Sequence, residues 1–89
     1  MSEVKTVDEL KELARGVLTL PKSAFRDQIV DFARTARQRE DAFQKAGNYA
    51  VRMSRSFGDA MVIAKGAAWL VYLRKKYGLD VFEEVIKDY

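Results

Sequence analysis

The chain has no cysteine and no histidine. Without cysteine there is no disulfide and no thiolate metal site. Without histidine the commonest general base, metal ligand and pH switch are all missing. One proline and five glycines are too few breaks for an all-β domain of many tight turns. The longest apolar stretch, Ala60 to Leu73, is interrupted by Lys65 and falls short of the ~20 residues a membrane span needs. No cationic stretch followed by an apolar run stands at the N-terminus. The sequence therefore predicts no signal peptide, no membrane association and a cytoplasmic location.

What is present is enough for one core. Eighty-nine residues make a single domain, 1–89, with no room for two. Apolar residues at 48% and charged residues at 33% exclude a weakly hydrophobic disordered chain. Helical spacing dominates. Thr6-Val7-Asp8-Glu9 is a capping box, followed by Val7, Leu10, Leu13, Ala14 and Val17 at threes and fours. Gly16 or Pro21 ends that helix. From about 22 to 57, Phe25, Ile29, Phe32, Ala36, Phe43, Ala46, Ala50, Met53 and Phe57 keep one phase. That phase predicts one long amphipathic helix, continuous or mildly kinked at Gly47-Asn48. Gly58-Asp59 reads as a break and N-cap. An apolar helix over Ala60 to Tyr77 follows, closing on Arg74, Lys75, Lys76 and Gly78. Asp80 caps a short last helix bearing Val81, Phe82, Val85 and Ile86. The expected fold is all-α, a small bundle of four to five helices with one long central amphipathic helix.

Catalytic chemistry has little to stand on. There is no Gly-rich phosphate loop and no H-E-x-x-H. The neighbouring carboxylates Asp8 and Glu9, Glu40 and Asp41, Glu83 and Glu84 point about 100° apart on a helix and do not converge. Lys65 reads as a snorkelling lysine rather than a buried one. The expectation is a non-enzyme with no cofactor and no metal.

Charge is uneven. Residues 1–21 carry net −1, residues 22–76 net +7 and residues 77–89 net −3. On a continuous helix with Arg34 at 0°, Arg26, Arg37, Lys45, Arg52 and Arg55 all fall with it inside an arc of about 100°. The apolar set occupies the opposite side. From Arg34 to Arg55 the stripe would run about 32 Å. Arginine forks bind phosphate oxygens bidentately, so the stripe suits a nucleic-acid backbone held without base readout. Arg34, Arg37, Lys45, Arg52 and Arg55 are the candidate contacts, with Arg74, Lys75 and Lys76 as a second basic cluster. Tyr49 lies beside the stripe, within reach of an unpaired base. The competing reading is a solvated face, in which Asp31 neutralises Arg34 and Asp41 neutralises Arg37 and Lys45. Trp69, Tyr72 and Tyr77 read as core or interface packing. The sustained apolarity of 60–73 predicts packing against another protein chain.

Residues 48–78 contain Tyr49-Ala50-Val51-Arg52-Met53-Ser54-Arg55, then Met61-Val62-Ile63 and Gly66, then Ala67-Ala68-Trp69-Leu70-Val71-Tyr72-Leu73-Arg74-Lys75-Lys76. This resembles the small helical subunits of CRISPR effector complexes. The resemblance implies a non-catalytic building block that stacks within a ribonucleoprotein and touches nucleic acid through basic side chains. Arg52 and Arg55 belong to both the matching stretch and the stripe. Two functions thus stay open. One is a nucleic-acid-backbone-binding subunit of such an assembly. The other is a helical interaction or structural protein (virion component, adaptor or inhibitor) without nucleic acid.

Overall fold

The computed structural model describes residues 7–87, and among these there are six helices and no strand. They are α1 (Val7–Leu13), α2 (Arg15–Leu18), α3 (Ala24–Thr35), α4 (Arg39–Arg52), α5 (Phe57–Tyr77) and α6 (Leu79–Lys87). The capping box that starts at Thr6 lies partly outside the described residues.

The apolar helix α5 is the axis of the bundle. It is wrapped by α4, α2, α3 and α6, with α4 making the most extensive pairing. Its Ile63, Ala64, Ala67, Leu70, Val71 and Leu73 are buried. Burying so many positions of one helix explains its nearly uniform apolarity without a second chain. Gly58, Val62 and Lys65 are among its exposed positions, as the snorkelling reading of Lys65 requires. The α4–α5 seam is made of small residues. Ala42, Ala46 and Ala50 are fully buried, and a Cβ on Gly47 would meet Ala64 Cβ at 3.4 Å. Phe82 and Val85 of α6 close the core from the far side.

Three helix ends are set by local chemistry. Ser23 Oγ accepts from the Arg26 amide at 3.2 Å and starts α3. Ser56 Oγ accepts from the Asp59 amide at 3.1 Å and starts α5. Gly58-Asp59 therefore lies inside the first turn of α5 rather than before it. Gly78, at φ +98°, ends α5 as expected of a glycine past a helix. Gly16, by contrast, does not end a helix. It sits inside α2, buried.

The long helix over 22–57 is corrected. The chain passes through Gly47-Asn48 without interruption but breaks at Ala36 to Gln38, where no glycine or proline marks it. Ala36 leaves the helix at ψ 142°. The Arg74 guanidinium, from α5, donates to the carbonyls of Ala33, Arg34 and Ala36 and satisfies the end of α3. The partner that ends the helix lies 40 residues from Arg34 in sequence. A second stop follows Arg52. The Arg55 amide donates to the Ala50 carbonyl and the Ser54 amide to the Val51 carbonyl, both at 3.0 Å, with Ser54 at φ +66°. This is a Schellman end with serine where glycine is usual. Met53 and Phe57, counted on the core face, are consequently 50% and 75% exposed.

Candidate nucleic-acid interface

The break at Ala36 to Gln38 re-aims the cations. On the continuous wheel, the buried residues of α4 centre near 120°. Those of α3 (Arg26, Ile29, Val30 and Ala33) centre near 270°. The two core faces differ by about 150°, so the single stripe does not exist. Arg26 is 2% exposed and donates to the Ile86 carbonyl at 3.4 Å. Arg34, on α3, is tied to α6. Its Nε and Nη2 donate to the Glu83 carboxylate at 2.8 and 3.0 Å, and Nη1 donates to Asp31 at 3.2 Å. The bidentate Glu83 bond raises the Arg34 pKa and lowers that of Glu83. A guanidinium so committed is a structural tie, not an open phosphate contact. Arg74 is likewise consumed by the end of α3.

The remaining cations are open. Arg37, Arg39, Lys45, Arg52, Arg55, Lys75 and Lys76 are exposed. None of them has an ion-pair partner among the described residues, where the pairs are Arg15–Glu12, Arg34–Asp31 and Arg34–Glu83. All but Arg37 collect around two groups of aromatic rings.

The first group lies where α3 meets α4. Phe25 and Tyr49 stack with centroids 5.4 Å apart, and Phe32 meets Tyr49 edge-on at 5.8 Å. The Schellman end fixes Arg55, whose guanidinium lies 4.5 Å from the Phe25 centroid. Arg52 lies 5.9 Å from that of Tyr49. Beside them a cleft is lined by Phe32, Lys45, Asn48, Val51 and Arg52. Tyr49 is half-buried in this ring cluster, so its faces are already used within the chain. Three of the five candidate contacts, Lys45, Arg52 and Arg55, come together here. Arg37 stands apart in the α3–α4 connection.

The second group lies where the start of α4 meets the end of α5. Tyr72 meets Trp69 edge-on at 5.5 Å. Arg39 and Lys76 lie 5.7 and 5.6 Å from the Tyr72 centroid, and Lys76 lies 5.4 Å from that of Tyr77. Lys75 completes the patch. Arg39 was invisible to the sequence reading, because a continuous helix puts it near 140°, among the apolar positions.

Among the described residues, no group of three carboxylate, histidine or cysteine side chains is placed to hold a metal ion. No helix there is long and apolar enough to cross a membrane. No family model, no curated protein and no solved structure matches the chain.

Proposed function

We propose that this chain is a non-catalytic subunit that grips a nucleic-acid backbone within a larger assembly. It would work as the CRISPR small subunits that residues 48–78 resemble do. Lys45, Arg52 and Arg55 form the grip. The observation that carries the reading is the missing neutralisation. Of the pairs a neutralised face needs, Arg34–Asp31 is made at 3.2 Å, but Asp41 pairs with neither Arg37 nor Lys45. Arg52 and Arg55 lie over Tyr49 and Phe25, and with Lys45 they are open to solvent, where phosphate oxygens can replace water. Such a grip is salt-sensitive and indifferent to sequence. The test is anisotropy of labelled nucleic acid against protein, with Arg52→Glu plus Arg55→Glu. Loss of binding to unrelated sequences alike supports the reading, and normal binding by the double variant removes it.

A specific observation also favours a protein partner. Phe57 is 75% exposed beside Val51, Met61 and Phe43, which line an apolar groove of about 240 Å³ between α4 and α5. In a ribonucleoprotein subunit that groove faces a neighbouring protein. Sedimentation of the chain with Phe57→Ser reads whether self-association depends on it.

A further inference from the structure

The second ring group has features that a backbone grip does not use. Two clefts share Arg39, Tyr72 and Lys76. One adds Gln38 and Lys75, and the other adds Leu13, Trp69 and Tyr77 in about 430 Å³. Neither is lined by a carboxylate. By comparison, the cleft between α3 and α6 contains Asp27 and Asp31. Tyr72, and after it Tyr77, holds the Lys76 pKa above the ordinary lysine value. Trp69, Tyr72 and Tyr77 are only half-buried, so apolar ring area stays open to the cleft under a layer of cations.

This combination fits one ligand chemistry. A flat π-system inserts against Tyr72 and Trp69 while its attached phosphate meets Arg39, Lys75 and Lys76. A nucleobase is such a system only when unpaired, because a duplex keeps its bases stacked inside. A carboxylate ligand would engage the cations and leave the rings unused. We infer that the cleft at Trp69, Tyr72 and Tyr77 binds an unpaired nucleotide by base stacking, which makes the chain prefer single strands over duplexes. The inference rests on the backbone grip proposed above and adds strand selectivity to it.

Trp69 is the single tryptophan in the chain, so its emission reports this cleft alone. The probes are an oligothymidylate of about 20 nucleotides and a DNA duplex of the same length, long enough to span the site. Labelled-strand anisotropy reads binding, and Trp69 emission reads stacking. The expected result is that oligothymidylate quenches Trp69 and the duplex binds more weakly without quenching. Tyr72→Leu lowers single-strand affinity about tenfold with the duplex unchanged, and Tyr72→Phe restores it. If Tyr72→Leu does not fold, Arg39→Gln with Lys76→Gln, both exposed, takes its place, and the single strand is expected to lose more affinity than the duplex. Equal binding of both probes with Trp69 emission unchanged overturns the inference and leaves the backbone grip standing. Equal loss of both probes on Tyr72→Leu overturns it as well. If neither probe binds the unaltered chain at low salt, the grip and the inference fall together.

Discussion

Gly16 and Gly66 lie backbone against backbone where α2 crosses α5. A Cβ on Gly66 would stand 2.6 Å from the Val17 nitrogen, and one on Gly16 would stand 2.0 Å from the Val62 carbonyl oxygen. Both obstacles are main chain, which cannot swing aside as a side chain can. Gly16→Ala and Gly66→Ala must push the helices apart and reopen the core around Val17, Ile63 and Ala67. Each is expected to cost about 1–3 kcal/mol. Gly58→Ala meets nothing within 4 Å and should be neutral or stabilising. Thermal denaturation followed by circular dichroism checks all three. An unchanged melting temperature in Gly66→Ala would mean that α2 does not cross α5 at this point.

Arg74 ends α3 by donating to the carbonyls of Ala33, Arg34 and Ala36. Arg74→Ala strands partly buried acceptors, at a cost of about 1–3 kcal/mol. Arg74→Lys rescues little, because a single ammonium does not reproduce a planar fork spread over three carbonyls. Lys75→Ala, one residue on and exposed, should leave stability unchanged. Urea midpoints separate the three variants. Equal midpoints for Arg74→Ala and Lys75→Ala would show that another group ends α3.

The Arg34–Glu83 pair predicts an acid-sensitive increment of stability. The hydrogen bond from Arg34 lowers the Glu83 pKa below the ordinary glutamate value. The unfolded chain therefore takes up this proton at higher pH than the folded one. The stabilisation is complete above the ordinary glutamate range, about pH 4, and is lost as pH falls through the lowered folded pKa. Both side chains are more than a third exposed, so the increment is on the order of 1 kcal/mol. Glu83→Gln should lower stability at neutral pH and flatten the acid limb of a stability-against-pH curve. A parallel curve for the variant would assign the acid limb to other carboxylates.

The class of fold was legible in the residues because apolar spacing, Gly78 past a helix end and the scarcity of turn residues all agree. The course of α5 and α6 and the passage of α4 through Gly47-Asn48 follow from the apolar spacing, although Asp80 stands in the first turn of α6 and not at its cap. The breaks after Thr35 and Arg52 were not legible. The first is made by Arg74 from another helix, and the second by a serine in a conformation usually left to glycine. Those two ends decide the site. They turn the cationic face of α3 inward, commit Arg34 to Glu83, bring Arg55 over Phe25 and free Arg39 to join Tyr72. Lys45, Arg52 and Arg55 survive as neighbours because they lie on α4 and its Schellman end, where the helical phase was read correctly.

Salt dependence separates the cations that grip from those that only hold the fold. Each phosphate neutralised releases counterions, so the slope of log K against log salt counts the contacts. Lys45→Gln, Arg52→Gln and Arg55→Gln should each weaken binding and each reduce that slope by about 1. Arg34→Gln removes the bond to Glu83 and one of the charges counted in the stripe. It should lower stability yet leave the slope unchanged, because its guanidinium does not face a phosphate. Long-range attraction alone would treat all four charges alike, since each substitution removes one positive charge from the same small domain. Four equal slope changes would therefore replace a placed grip with diffuse attraction to a basic protein. A reduced slope in the three and an unaltered slope in Arg34→Gln requires specific phosphates at specific side chains, on the surface that α4 and its terminal turn define.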